Sequence, residues 1–228
     1  MVREYVLAIL RDHADPHARL PTERVLSEKL GVSRLTVRRA LERLASEGRV
    51  YRVQGAGTFV AEPAIRKGHT LSSFTEDMTS RGLTATARLL VTEETDAGAH
   101  HSWKLGISPG EPLVHVTRLR LADNVPICLE DVHIVKRFAP DLLEQSLDGS
   151  LYDLLSGKYQ IVLDRAEQEV TATVLDPADA RRLGVPPHAP ALLVERVTYD
   201  TRGRAVELAR SLYRGDRYSF ENTLRRNG

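Results

Sequence analysis

Gly31-Val32-Ser33-Arg34-Leu35-Thr36-Val37-Arg38-Arg39-Ala40-Leu41 is the stretch that decides the fold. Gly31 stops one helix, and Ser33 caps the next, which runs on to Gly48. Val37, Leu41 and Leu44 fall on one face of that second helix and must pack inward. Arg34 and Arg38 lie one turn apart beside the apolar stripe, with Arg39 and Glu42 further round toward solvent. Upstream, Thr22 is placed to cap the preceding helix, with Glu23 in its first turn and Leu26 and Leu30 as its core stripe. Val2, Val6, Ile9 and Leu10 predict a further amphipathic helix over residues 2–13, which Asp15-Pro16 ends. Downstream, residues 49–53 alternate as a strand, Gln54-Gly55-Ala56-Gly57 turns, and Thr58-Phe59-Val60 returns. Three helices followed by a glycine-tipped hairpin predict a winged helix-turn-helix.

The charge agrees with that shape. Between Arg34 and Arg52 there are six basic residues against two acidic ones, more than a merely solvated helix face requires. An arginine fork matches guanine O6 and N7, or a phosphate, with two parallel hydrogen bonds. The first residues of a recognition helix are the ones that reach base edges. Residues 1–61 hold 11 Lys+Arg and 7 Asp+Glu, a balance of +4, while the remainder holds 21 and 24, a balance of −3. A basic head on a mildly acidic body points to a DNA-binding module joined to a second function.

Cys128 is the single cysteine, which excludes an intrachain disulfide and fits a reducing compartment. No apolar run approaches the ~20 residues of a membrane span, and the first residues lack the apolar core of a signal peptide. The expectation is a cytoplasmic protein with no membrane partner.

Residues 62–68, with Pro63, Gly68 and mixed charge but no apolar period, read as a linker. The domains are therefore 1–65, a DNA-binding head, and 66–228, a body. The body reads as an antiparallel α+β domain. Strands are predicted at 87–92, 113–121, 126–135, 161–175, 191–199 and 205–213, with short helices at 97–105, from 150, and from Asp176-Pro177.

Alternation along residues 114–121 puts Arg118 and Arg120 on one face. Two adjacent cations repel unless an anion lies between them, and a bidentate arginine pair suits a phosphate or a carboxylate. A solvated edge strand would explain the same pair. Other polar residues add to it. Ser150-Leu151-Tyr152 opens a helix whose free N–H groups favour anions, although Ser150 also serves as an ordinary cap. Ser72-Ser73-Phe74-Thr75 is a second hydroxyl-rich helix start. Glu207 and Tyr213 share a strand face, and Glu130, on the strand partnering the arginines, is able to accept hydrogen bonds from sugar hydroxyls.

The head resembles the GntR superfamily of bacterial transcription regulators, through residues 20–24, 31–41 and 54–60 in that order. The resemblance implies DNA contacts by Arg24, Arg34 and Arg38, assisted by Thr36, Arg39 and a wing tip of Gln54, Gly55 and Gly57. Thr22 stands where serine is commoner, and Leu35 where a polar residue or methionine is frequent. The body resembles the UTRA effector domain of the HutC subfamily, whose fold is similar to chorismate lyase, and more narrowly the NagR/DasR type that governs amino-sugar use. The carrying segments are Ser73-Phe74-Thr75-Glu76-Asp77-Met78, Arg118-Leu119-Arg120, Ser150-Leu151-Tyr152 and residues 211–218. The resemblance implies that Phe74, Thr75, Arg118, Arg120, Ser150 and Tyr152 hold the phosphate of a hexosamine 6-phosphate, and that Glu130, Glu207 and Tyr213 meet its ring.

The expected protein is a repressor that reads double-stranded operator DNA as a homodimer and responds to a phosphosugar such as glucosamine 6-phosphate or N-acetylglucosamine 6-phosphate. The competing effector is another anion such as urocanate. A lyase-like enzyme is the remote alternative, since there is no nucleophile–base pair and no metal-ligand spacing. His100-His101 reads as a surface feature, and no cofactor is expected.

Overall fold

The computed structural model describes residues 2–13, 17–46, 50–53, 55–60, 65–68 and 70–224. The chain divides into two compact units, residues 1–65 and 66–228.

In the first unit, α1 (Val2–His13), α2 (Glu23–Leu30) and α3 (Arg34–Ser46) precede a hairpin of β1 (Val50–Val53) and β2 (Gly57–Val60). Val6, Leu26, Val37, Leu41, Leu44, Val50 and Val60 form its core, so the apolar face of each helix points inward. The Thr22 hydroxyl accepts from the Val25 N–H, and Gly31 closes α2 in the left-handed region at φ 64°. The Thr36 N–H donates to Ser33 Oγ at 3.1 Å, which is the cap expected for α3. Asp15-Pro16 lies outside the described residues.

From the boundary onward, the chain runs through β3 (Ile65–Lys67), which begins on the last residue of the first unit, and then α4 (Phe74–Thr79), β4 (Ala85–Asp96), α5 (Ala99–Leu105), β5 (Pro112–Ala122) and β6 (Val125–Val135). It continues through α6 (Leu151–Gly157), β7 (Leu163–Val174), α7 (Pro177–Leu183), β8 (Pro190–Asp200), β9 (Ala205–Arg214) and β10 (Tyr218–Phe220). A six-stranded sheet has the order β4-β5-β6-β9-β8-β7, two three-strand meanders joined where β6 meets β9. All its pairings are antiparallel. One face packs α6 through Val116, Val132, Ile134, Leu151 and Leu155. The other carries α5 at one end, on Leu113, Val135 and Val197, and α7 at the other, on Leu119, Leu129 and Ala191.

The linker reading of residues 62–68 needs correction at its end. Residues 61–64 lie outside the described residues, but β3 pairs with β10, and the Glu221 N–H donates to the Lys67 carbonyl at 2.8 Å. Lys67 is buried. Pro63 and Gly68 suggest a loop, but tertiary pairing overrides the local signal. The strand at 87–92 extends to 85–96 for the same reason, because β5 is long enough to pair along it from end to end, with a bulge at Leu90.

Candidate DNA interface and effector pocket

The turn at Gly31 sets α3 against α2 so that its arginine side is outward. Arg34, Leu35, Thr36, Arg38 and Arg39 are all exposed, as is Arg24 on α2. Arg24 Nη1 donates to Glu28 Oε1 at 2.9 Å one turn on, and the exposed Thr36 hydroxyl lies 2.9 Å from that of Ser33. Arg38 is held differently. Its guanidinium donates to Glu23 Oε2 at 3.1 Å, and Glu23 also accepts from Arg52 on the hairpin. The hydrogen bond from Arg38 leads in holding the Glu23 carboxyl below its ordinary range. One acidic side chain thus ties the recognition helix to the wing. Gly55 (φ 77°) and Gly57 (φ 125°) take backbone conformations that side-chained residues rarely adopt. A Cβ at Gly57 would stand 3.0 Å from Arg19 Nε. Gln54 lies outside the described residues. Arg19 and Arg52 line the groove between α2 and the wing and were not singled out in the sequence. Alternation along residues 50–53 was the available signal for Arg52.

In the second unit the sheet face under α6 forms a pocket. All nine residues expected at an effector site line it: Phe74, Thr75, Arg118, Arg120, Glu130, Ser150, Tyr152, Glu207 and Tyr213. β5 supplies the arginines, which are 3% and 1% exposed, burial that charges tolerate only when paired. Arg118 Nε donates to Glu130 Oε2 at 2.8 Å across one rung of the ladder, and its Nη1 donates to the Leu147 and Gly149 carbonyls, each at 3.0 Å. Arg120 Nη1 donates to the same Gly149 carbonyl at 3.1 Å and Nη2 to Thr75 Oγ1 at 2.9 Å, while its Cζ lies 4.8 Å from the Phe74 ring centroid. The loop before α6 is therefore clasped by both guanidiniums. Ser150 Oγ accepts from the Asp153 N–H at 3.2 Å, so it does serve as the cap of α6.

Two buried atoms of the pocket have no hydrogen-bond partner among the described residues: Arg120 Nε, a donor, and Glu207 Oε2, an acceptor. The two carboxylates differ. Burial pushes the Glu130 carboxyl up, but the Arg118 and Arg120 charges outweigh it and hold it low. Burial, reinforced by the negative Glu130, raises Glu207. The Tyr152 hydroxyl lies 3.3 Å from that of Thr198 and is raised, chiefly by burial.

Two cations of the pocket escaped the sequence reading. Lys67 donates to Asp77 Oδ2 at 2.6 Å and to Ser72 Oγ at 2.5 Å. Arg196, on β8, donates to Gln168 Oε1 at 3.0 Å through Nη2. Alternation along β8 puts Arg196 on the same face as Val194 and Thr198, a signal readable once β8 is paired with β9.

The other sheet face corrects two expectations. His101 is not a surface feature: its ring centroid is 4.3 Å from that of His133, and its Nδ1 is buried without a partner among the described residues. Metal-ligand spacing, absent along the chain, arises across strands. One ligand atom from each of His115, Asp131 and His133 lies within 4.8 Å of the others.

Two family models match the chain: bacterial regulatory proteins of the gntR family over residues 5–60, and the UTRA domain over residues 80–219. The HTH-type transcriptional repressor NagR of Bacillus subtilis is 40% identical over 212 residues, 92% of this chain and 87% of that protein. The histidine utilization repressor of Pseudomonas putida is 32% identical over 209 residues, 90% of this chain and 83% of that protein. The crystal structure of PhnF from Mycobacterium smegmatis superimposes with a TM-score of 0.90 at 32% identity, covering 100% of both chains. The chain belongs to the GntR family of transcription regulators, with a helix-turn-helix head and a UTRA body. It is a transcriptional repressor of the HutC type, not an enzyme. Among the described residues no helix is long and apolar enough to cross a membrane.

Proposed function

We propose that the repressor binds double-stranded operator DNA as a homodimer through residues 1–65, and that residues 66–228 carry the dimer contact and bind a phosphosugar, glucosamine 6-phosphate or N-acetylglucosamine 6-phosphate. Arg24, Arg34 and Arg38 make the principal DNA contacts, with Thr36, Arg39 and the wing tip at Gln54, Gly55 and Gly57 assisting. Two heads on a two-fold axis read two half-sites of a palindrome.

The observation that carries the effector reading is the presence in one pocket of a buried donor, Arg120 Nε, and a buried acceptor, Glu207 Oε2, neither with a hydrogen-bond partner among the described residues. Buried polar groups are rarely left unpaired without a reason. A ligand with an anionic oxygen at one end and a hydroxyl or amine at the other satisfies both. The phosphate lies against Arg118, Arg120, Phe74, Thr75, Ser150 and Tyr152, and the ring against Glu130, Glu207 and Tyr213. The hydroxyls of Thr75, Ser150 and Tyr152 suit the several acceptor oxygens of a tetrahedral phosphate. Urocanate is the competing ligand, since Arg118 and Arg120 alone would hold its carboxylate; that planar group has fewer oxygens for the surrounding hydroxyls.

Thermal unfolding against glucosamine 6-phosphate, N-acetylglucosamine 6-phosphate, glucose 6-phosphate, urocanate and inorganic phosphate tests the reading. A ligand at 100 times its Kd adds about 2.7 kcal/mol to stability. A rise in midpoint confined to the amino-sugar phosphates supports it. A rise with urocanate alone, or with none of them, overturns it.

A further inference from the structure

We propose that the sheet face opposite the effector pocket carries a binding site for a divalent transition-metal ion of the zinc class, formed by His115, Asp131 and His133. The three come from neighbouring strands in strict register: His115 faces His133, and Thr117 faces Asp131, on the antiparallel pair β5–β6. His115 Nε2 lies 2.9 Å from Asp131 Oδ2, and His133 Nδ1 lies 3.4 Å from Asp131 Oδ1. A tetrahedron with metal–ligand bonds of 2.0–2.1 Å has edges of about 3.3–3.4 Å; one atom from each of the three residues already lies within 4.8 Å of the others, so closing on one ion takes a small side-chain rotation that presents a single Asp131 oxygen and both ring nitrogens to it. Two imidazoles and a carboxylate make a borderline ligand set that prefers zinc-like ions to magnesium or calcium, which take oxygen ligands.

The surroundings are those of a built site. Glu93 Oε1, on β4, lies 3.1 Å from His115 Nδ1. A carboxylate on the second ring nitrogen fixes the tautomer that leaves the first nitrogen free to ligate, the usual support for a metal-bound histidine. The Thr117 hydroxyl donates to Asp131 Oδ2 at 3.0 Å and orients that carboxylate. The His115 and His133 rings are stacked at 4.3 Å with 5° between their planes, so one ring turns about its Cβ–Cγ bond for both in-plane lone pairs to meet one ion, and His101, on α5, closes the other side of His133. Three protein ligands leave one coordination position for water or a fourth group. Thr117 and Asp131 are the rung next to Arg118 and Glu130. The ion therefore sits on the reverse of the strands that hold the pocket's ion pair.

The test uses the full chain stripped with a chelator. Zinc(II) is titrated in by calorimetry, and cobalt(II) is followed by the visible absorption of a four-coordinate site. The expected result is saturable binding of one ion per chain, weakened at least about tenfold by His115→Ala and by the isosteric Asp131→Asn. Exposed His188→Asn, at a left-handed position that asparagine tolerates, leaves it unchanged. Circular dichroism of the metal-free variants separates loss of ligand from loss of fold. Absence of saturable binding to the parent chain, or binding that Asp131→Asn in a folded protein does not weaken, overturns the site.

Discussion

Arg118 and Arg120 illustrate how a single residue's position is fixed by what it must satisfy. Each guanidinium has five donors, and the protein spends them unequally: Arg118 is engaged by Glu130 and two carbonyls, while Arg120 keeps its Nε unpartnered among the described residues. Hydrogen bonds to charged groups contribute about 1.5–3 kcal/mol each. Arg118→Ala with Arg120→Ala is therefore expected to weaken sugar-phosphate binding by at least about a hundredfold, read as loss of the thermal shift, with operator binding retained in a mobility assay. A retained shift would remove these residues from the ligand site. Glu207 makes a second residue-scale case, through pH. Burial raises its folded-state pKa, so the folded protein holds that proton more tightly than the unfolded chain does. Its penalty is absent below the unfolded pKa, grows as pH rises, and is complete above the folded pKa. Glu207→Gln is expected to raise the unfolding midpoint at neutral pH and to leave it nearly unchanged well below the unfolded pKa, while weakening the sugar ring contact. An equal midpoint change across the whole range would show that titration of Glu207 is not the cause.

At the scale of elements, the helix-turn-helix was legible in the sequence because its determinants are local: the caps Thr22 and Ser33, the stop at Gly31, and a 3.6-residue period through Val37, Leu41 and Leu44. Gly31 has φ 64°, with nothing near the place a Cβ would occupy. Gly31→Ala therefore meets only backbone strain. It is expected to cost about 1 kcal/mol, seen as a lower denaturation midpoint of the head, and a neutral substitution would mean the turn relaxes freely. The clamp of Glu23 on Arg38 and Arg52 was not legible, since it joins residues 15 and 29 positions apart. It holds Arg38, while Arg34 and Arg39, which have no ion-pair partner among the described residues, stay exposed. Arg38→Ala is expected to lower operator affinity and, if the contact is to phosphate, to reduce the slope of log affinity against log salt by about one, with the effector response intact. Unchanged operator affinity would count against α3 as the reading helix.

At the scale of the whole molecule, what the sequence hid was long-range pairing. β6 pairs with β9 across an insertion that includes two strands and two α-helices. That crossing assembles the pocket: it brings Glu130 opposite Ser211 and Cys128 opposite Tyr213. Alternation gave the face of each strand, but not which strands were neighbours, so Arg196 and the His115–Asp131–His133 cluster escaped notice. The division into a DNA-binding unit and a pocket-bearing unit also fixes a thermodynamic obligation. An effector changes operator affinity only by binding the competing conformations unequally. The coupling free energy belongs to the pair of ligands, so operator DNA must change effector affinity by the same factor that the effector changes operator affinity. Calorimetric titration of the sugar phosphate into free protein and into the protein–operator complex gives one factor. Operator titrations with and without saturating sugar phosphate give the other. The two are expected to agree, with the effector weaker on the complex if the effector releases the repressor. Equal effector affinity for the free and DNA-bound protein, beside a real change in operator affinity, would mean that the pocket described here is not the site through which the sugar phosphate acts.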